Sequence, residues 1–385
     1  LHNVGETRRL GADVLRCITL IVKCYVLGDP QAPFVAVMKL LASYDALATN
    51  GYLRPDVELI SIGDHFDYDF MTPEVSRAEG LAVLRWLASH PPEQVRLIVG
   101  NHDAARVVEL ALIDDREFAD ARLVAMSIEA TKHAEGRAAA NARAVAEFAP
   151  RFPSISTYGL VARDYASFSG EQRELVVELV LAGRFHLALA SNDVLITHAA
   201  ITQREVDLLG VAARATELAA ALERLFANAV GARRDDWEHR LPLAPITPLS
   251  LEPVSQAGAP GQEAGGFLAH RPSNIERPGG DPAWEVDPVR PRRFHPRELP
   301  CGLRHVAGHT NHPMCVRELE PWVTAAARAA RYAGIRTLRA SPKAITYDLG
   351  VLAPQDDCAD LLLIDGELRD PANRAELLEL PLSGS

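Results

Sequence analysis

Three short aliphatic runs in the first hundred residues each stop on a glycine followed by a carboxylate or an amide. That repetition leaves few folds open. Ile18–Leu27 ends in Gly28-Asp29-Pro30-Gln31, Val57–Ile62 in Gly63-Asp64-His65-Phe66-Asp67, and Val95–Val99 in Gly100-Asn101-His102-Asp103. Between them, Phe34–Ala48 and Leu81–Ala88 carry apolar residues at helical spacing. Strand–helix–strand–helix–strand reads as an α/β sheet. Polar residues at the carboxyl ends of its strands fall where ligands collect in such sheets.

Two more strands repeat the pattern: Asp193–Thr197 ends on His198, and Leu303–Ala307 leads into Gly308-His309-Thr310-Asn311-His312. The segments between differ in kind. Residues Ala104–Ala190 are expected to form a helical insertion, a lid, with helices over Ile128–Phe148 and Glu171–Ala190 and a break at Pro150-Arg151-Phe152-Pro153. Ala212–Ala229 is a further helix. Leu241–Pro300 is rich in proline and glycine and lacks periodicity, the pattern of a long functional loop. Ala344–Leu349 and Leu361–Ile364 read as closing strands, with Asp365-Gly366 as a hairpin turn. A chain of 385 residues accommodates this as a single domain with two insertions.

The net charge of −11 counts against a nucleic-acid-wrapping protein on electrostatic grounds, although a local metal site still binds one phosphate. No apolar run approaches the roughly 18 residues of a membrane span. Five cysteines, odd in number and without paired short spacings, point to free thiols and a cytoplasmic setting rather than a structural zinc knot.

Together the motifs supply enough oxygen and imidazole ligands for two divalent ions. Asp64 is placed to bridge them; Asp29 binds the first, while Asn101, His198 and His309 complete the second. Hard oxygens mixed with imidazole, and no thiolate, suit manganese, iron or zinc better than calcium; manganese is expected first. The set resembles the calcineurin-like metallophosphoesterases, whose pattern runs D-x-H, G-D-x-x-D, G-N-H-D/E, H, G-H-x-H; the likeness spans Gly28 to His312. It implies a four-layer sandwich of two mixed β-sheets flanked by helices. It also implies a metal-bridging hydroxide that attacks phosphorus, with His102, held by Asp67, protonating the leaving group. The nearest branches are the phosphoprotein phosphatases and the bacterial dinucleoside tetraphosphatases.

Three positions depart from the pattern. Gln31 replaces the histidine of D-x-H and is expected to ligate through its carbonyl oxygen. The last motif puts Asn311 where a histidine belongs, so Asn311 or His312 serves the first metal, and His312 is preferred. Tyr68-Asp69 follows Asp67 in place of Arg-Gly, so Arg106 or Arg304 is expected to hold phosphate, Arg106 together with Asn101. Away from the motifs, His65 and His305 read as structural, and His186 as a core histidine on an apolar helix. His133, His239, His270 and His295 read as solvent-exposed. The cluster Arg290, Arg292, Arg293 and Arg297 reads as a solvated loop, with steering of an anionic substrate as the alternative.

The expectation is therefore a metal-dependent hydrolase of phosphomonoester or pyrophosphate bonds. Its substrate would be a phosphorylated small molecule, a nucleotide or a phosphoprotein. A non-catalytic interaction module on the same fold and a phosphodiesterase or nuclease are the alternatives.

Overall fold

The computed structural model describes residues 23–68, 71–275, 291–368 and 375–381. Ile18 to Val22 of the first expected strand, together with Asp69 and Arg290, lie outside them. Strands β1 (Lys23–Leu27), β2 (Val57–Ser61), β3 (Val95–Ile98) and β4 (Phe185–His186) run parallel, and β15 (Leu378–Leu380) closes the edge antiparallel to β1. A second sheet holds β5 (Ala188–Ser191), β6 (Val194–Thr197), β11 (Arg304–Ala307), β12 (Arg336–Ala340), β13 (Ile345–Leu349) and β14 (Ala359–Leu363). Its order is β13-β12-β14-β11-β6-β5, with β6, β11 and β14 mutually parallel.

Period-2 alternation divides each strand between two cores. Cys24, Val26, Ile60 and Ile98 share one buried cluster with Val194, Ile196, Val306 and Leu362, which joins the sheets face to face. The alternate residues Tyr25, Leu27, Leu59 and Leu97 pack with Val37 and Leu41 of helix Phe34–Ser43 and Leu84 and Leu87 of helix Pro73–Ala88. On the far side of the second sheet, Leu338, Tyr347, Leu361 and Leu363 pack with Cys315 and Ala327. The result is an α/β sandwich of mixed sheets flanked by helices. Among the described residues, no helix is long and apolar enough to cross a membrane.

Local chemistry sets the helix boundaries. Thr72 caps Pro73–Ala88 by accepting from the Val75 amide, and Pro73 supplies a pre-set φ at the first position. The expected helix Ile128–Phe148 is two: Asp115–Glu135 stops at Gly136, whose φ of 94° ends the turn, and Arg137–Arg143 follows. These helices pack on a core of their own, which includes Phe118, Ile128, Phe148 and Leu160.

Two expectations are corrected here. The apolar run Glu171–Ala190 is helix only over Gly170–Leu181; Gly183, at φ 66°, turns the chain into β4 and β5, so His186 is a strand residue and pairs with Glu223 at 2.8 Å. Asp365-Gly366 is not a hairpin turn, because the chain leaves β14 for β15 in the other sheet. Within Leu241–Pro300, β7 (Ser255–Gln256) pairs with β8 (Gly265–Gly266), and β9 (Arg271–Pro272) with β10 (Arg293–Phe294).

Candidate metal centre and active site

The carboxyl ends of β1, β2, β3, β6 and β11 meet at one edge of the sandwich, and the turns that follow them touch. A Cβ on Gly100 would lie 2.2 Å from the Asp64 amide nitrogen and carboxylate, and one on Gly308 would lie 2.0 Å from Asp29 Oδ1. Only glycine permits that approach. Asp64, Asp67 and His309 hold left-handed φ values of 58°, 64° and 63°. Such strain costs of order 1–3 kcal/mol per residue and persists where the surroundings enforce it.

The Asp103 carboxylate is the local fastener. It accepts from the amides of Asp64 (3.0 Å), His65 (3.2 Å) and Gly100 (2.9 Å), and pairs with His65 Nδ1 at 3.0 Å. Burial works against its charge, but His65 and the backbone donors outweigh it and keep the carboxyl below its ordinary range. His65 Nε2 meets Ser61 Oγ at 3.0 Å, the structural role expected of it.

Asp64, His198 and His309 are buried and offer ligand atoms within 4.8 Å of one another, a group that could hold a metal ion. His198 Nδ1 lies 2.9 Å from the Ile62 carbonyl, an acceptor, so Nδ1 carries a proton and Nε2 is the nitrogen left to offer a lone pair inward. That lone pair faces Asn101 Oδ1 at 3.0 Å, His309 Nδ1 at 3.2 Å and Asp64 Oδ1 at 3.5 Å. Burial, reinforced by Arg271 and His198, holds His309 well below the usual imidazole range, so this ring is neutral. Its Nε2 is buried without a partner among the described residues. Acceptors thus converge with too few protons to pair them, and a cation satisfies such a set.

Asp29 adjoins the group, its carboxylate accepting from the His309 amide at 2.9 and 3.1 Å. Burial, then the like charges of Asp365 and Asp64, push its pKa well up. Gln31 donates its amide to the Phe66 carbonyl at 2.9 Å, which leaves only Oε1 for a cation. Asn311 is occupied as a helix cap: its Oδ1 accepts from Met314 and its Nδ2 donates to Glu367. The expectation for His312 is corrected. It begins helix His312–Glu318, its Nδ1 meets the Tyr347 hydroxyl at 2.8 Å, and its Nε2 meets the carbonyls of Ala327 and Ala330, each at 3.1 Å.

His102 stands beside the group. Its amide donates to Asp64 Oδ1 at 2.9 Å, its Nδ1 lies 3.0 Å from Asp67 Oδ2, and its Nε2 is 3.8 Å from Asp64 Oδ2. Burial opposes the charged ring, yet Asp64 and Asp67 outweigh it and raise the His102 pKa. Asp67 is held well below the carboxylate range: burial is the largest influence and opposes this, but Arg106 and His102 prevail.

Arg106 is not a phosphate ligand. Its side chain is fully buried, donates to Asp67 Oδ2 at 2.6 Å, to the His102 carbonyl at 2.8 Å and to Gln172 Oε1 at 2.9 Å, and lies over the Phe66 ring. Arg304 opens β11 at the end away from Gly308.

Sequence patterning does not single out Arg271, and Arg292 belongs to the cluster that reads as a solvated loop, with steering of an anionic substrate as the alternative. They lie on or beside the paired strands β9 and β10, joined by the Arg271 amide and the Arg292 carbonyl at 2.9 Å. Both line a cavity of about 1510 Å³ that also reaches Asn101 and His102. Arg271 feels Asp164, Asp64, Asp365 and Asp29, and both arginines act on His309; Arg292 is ion-paired with Glu263. No periodicity marks β9, so only the density of arginine in the irregular segment hinted at them. Tyr165, also unexpected, meets His102 edge-on at 5.1 Å between centroids and takes a hydrogen bond from Asn101, which leaves the Asn101 carbonyl oxygen facing His198. His270 and His295, expected in solvent, are buried.

No protein family matches the chain by sequence, and no curated protein matches it. Among solved structures, the cold-active protein tyrosine phosphatase of a psychrophilic Shewanella species is similar with a TM-score of 0.37 and 13% identity, over 93% of this chain and 75% of that one. A mutant cold-active protein tyrosine phosphatase is similar with a TM-score of 0.39 and 12% identity, again over 93% and 75%. Likeness at that level carries no argument about function.

Proposed function

We propose that the protein is a metal-dependent phosphoesterase that hydrolyses phosphomonoester or pyrophosphate bonds at a dinuclear centre. The observation that carries this reading is the convergence of Asp64, Asn101, His198 and His309 acceptors beside a His102 whose Nδ1 is committed to Asp67.

In this reading Asn101, His198, His309 and Asp64 hold one cation, and Asp64 and Asp29 hold the second, with the Gln31 carbonyl oxygen as its remaining protein donor. Mixed oxygen and imidazole donors suit manganese, iron or zinc better than calcium, and manganese is the ion expected first. A divalent pair supplies Lewis acidity to the phosphoryl oxygens and an activated water near neutral pH. Asp67 and Arg106 fix the His102 ring with Nε2 toward the reacting group, where it would hand a proton to the departing oxygen. Arg271 and Arg292 line the same cavity as Asn101 and His102 and would supply positive charge to a bound phosphate dianion.

The test is hydrolysis of p-nitrophenyl phosphate and of hexyl phosphate with manganese, comparing the wild type with Asp64→Asn and His102→Ala. Asp64→Asn is expected to abolish both activities. His102→Ala is expected to slow the alkyl ester by about 10²–10⁴-fold, and the aryl ester less, because p-nitrophenolate departs without a proton. Turnover that needs no metal, or that survives Asp64→Asn, refutes the reading.

A further inference from the structure

The cavity at the metal centre is far larger than one phosphate requires, and its charge opposes that of the chain. Pockets for small ligands usually hold about 300–1,000 Å³; this one holds about 1510 Å³. Among the described residues, seven lysine or arginine side chains line it against four carboxylates, in a protein whose net charge is −11. A cleft of inverted sign concentrates anions. Arg271 and Arg292 account for the wall beside the metal centre. The remaining cations include a second group on the helical insertion: Lys132 on helix Asp115–Glu135, Arg137 at the start of the next helix, and Arg163.

This second wall has the makings of an anion subsite. Lys132 and Arg163 share one carboxylate, Glu129, at 2.7 and 4.0 Å, so the pair remains net positive. The Arg163 guanidinium lies against the Gly159 backbone, where an added Cβ would come within 2.7 Å of Nη2 and 3.8 Å of Thr157 Oγ1. Thr157 Oγ1 and the neighbouring Ser156 Oγ are buried and have no hydrogen-bond partner among the described residues. The partly exposed Lys132 ammonium and Arg163 guanidinium are the donors that phosphate and carboxylate groups accept.

We infer that the Lys132–Arg163 wall is a second anion-binding subsite, so that the substrate is an extended small organophosphate with another anionic group remote from the scissile phosphate. This rests on the phosphoesterase reading for the direction in which the substrate lies. A molecule anchored at both ends presents its reacting phosphate to the centre at high effective concentration, whereas a monoanchored ester must be held by the centre alone.

The test compares hexyl phosphate with a series of α,ω-alkanediol bisphosphates of four to ten carbons, in the manganese-loaded wild type and in Lys132→Ala/Arg163→Ala. The expected result is a bisphosphate of one favoured length turned over with at least tenfold higher kcat/KM than hexyl phosphate. In the double variant that ratio should collapse toward one, and Arg163→Lys should restore part of it. Circular dichroism and melting of each variant verify folding. Equal kcat/KM for mono- and bisphosphates at every length overturns the inference, as does a wild-type preference for a phosphopeptide over every bisphosphate. If no phosphate ester is hydrolysed at all, the phosphoesterase reading fails by itself, and calorimetry then decides the subsite. Bisphosphate binding that weakens at least tenfold in Lys132→Ala/Arg163→Ala upholds it, and binding indifferent to those residues overturns it.

Discussion

Replacing Arg106 with methionine separates two accounts of this arginine that differ in kind. In the structure its guanidinium is fully buried and spends its donors on Asp67, the His102 carbonyl and Gln172, while it lies over the Phe66 ring. Methionine keeps the packing of the stem and removes the charge. Asp67 is left as a buried carboxylate with His102 and Ser167 as its remaining partners. Breaking a buried ion pair from one side destabilises by about 3–5 kcal/mol. With an unfolding entropy of about 2.1 cal/mol/K per residue, the 385-residue chain gives about 0.8 kcal/mol per kelvin. The expected loss in Tm is therefore about 4–6 °C, read by differential scanning calorimetry on the metal-free protein. Activity toward hexyl phosphate should fall mainly in kcat, because the ring that Asp67 orients loses its support. Arg106→Lys should recover only part of both, since an ammonium cannot reproduce the fork. An unchanged Tm with a raised KM would refute the reasoning, because that is the behaviour of an exposed phosphate ligand.

Three further outcomes follow from other parts of the molecule. Burial raises Glu109, which lines the cavity, to about 7; between its unfolded pKa of about 4.3 and that value the native state keeps a proton the unfolded state has lost, so stability falls as pH rises. Urea denaturation of Glu109→Gln should therefore show an advantage over the wild type that grows from pH 5 to pH 7, and a pH-independent difference would count against it. Gly100→Ala should drive the new methyl into Asp64 and lower kcat/KM by roughly 10²-fold, with weaker metal binding by calorimetry; wild-type metal affinity would show that the turn yields instead. His312→Gln should lower Tm while leaving metal stoichiometry, measured by inductively coupled plasma mass spectrometry, unchanged; a lost equivalent of metal would restore His312 as a ligand.

The sandwich was legible because its central strands are buried on both faces, so they read as unbroken aliphatic runs with a polar stop. The same property hid β4 and β5: a buried helix and a buried strand look alike in an apolar run, and only Gly183 marks the change between them. At the site, Asp64, Asn101, His198 and His309 could be picked out because each follows closely on a strand. His312 could not be resolved from spacing, since Asn311 caps a helix there and the next side chain turns inward to Tyr347. Arg271 was illegible, and Arg292 only an alternative, for a different reason. Their positions depend on a two-residue ladder between segments more than twenty positions apart, in a stretch without periodicity.

The central claim is that Asp64, Asn101, His198 and His309 share a cation. Anomalous diffraction at the zinc edge, from crystals of the wild type equilibrated with zinc, tests it most directly. The account predicts a peak about 2.0–2.2 Å from an Asp64 carboxylate oxygen, Asn101 Oδ1, His198 Nε2 and a His309 ring nitrogen. Ordered side chains around no peak, or a peak bound only by other residues, would contradict it.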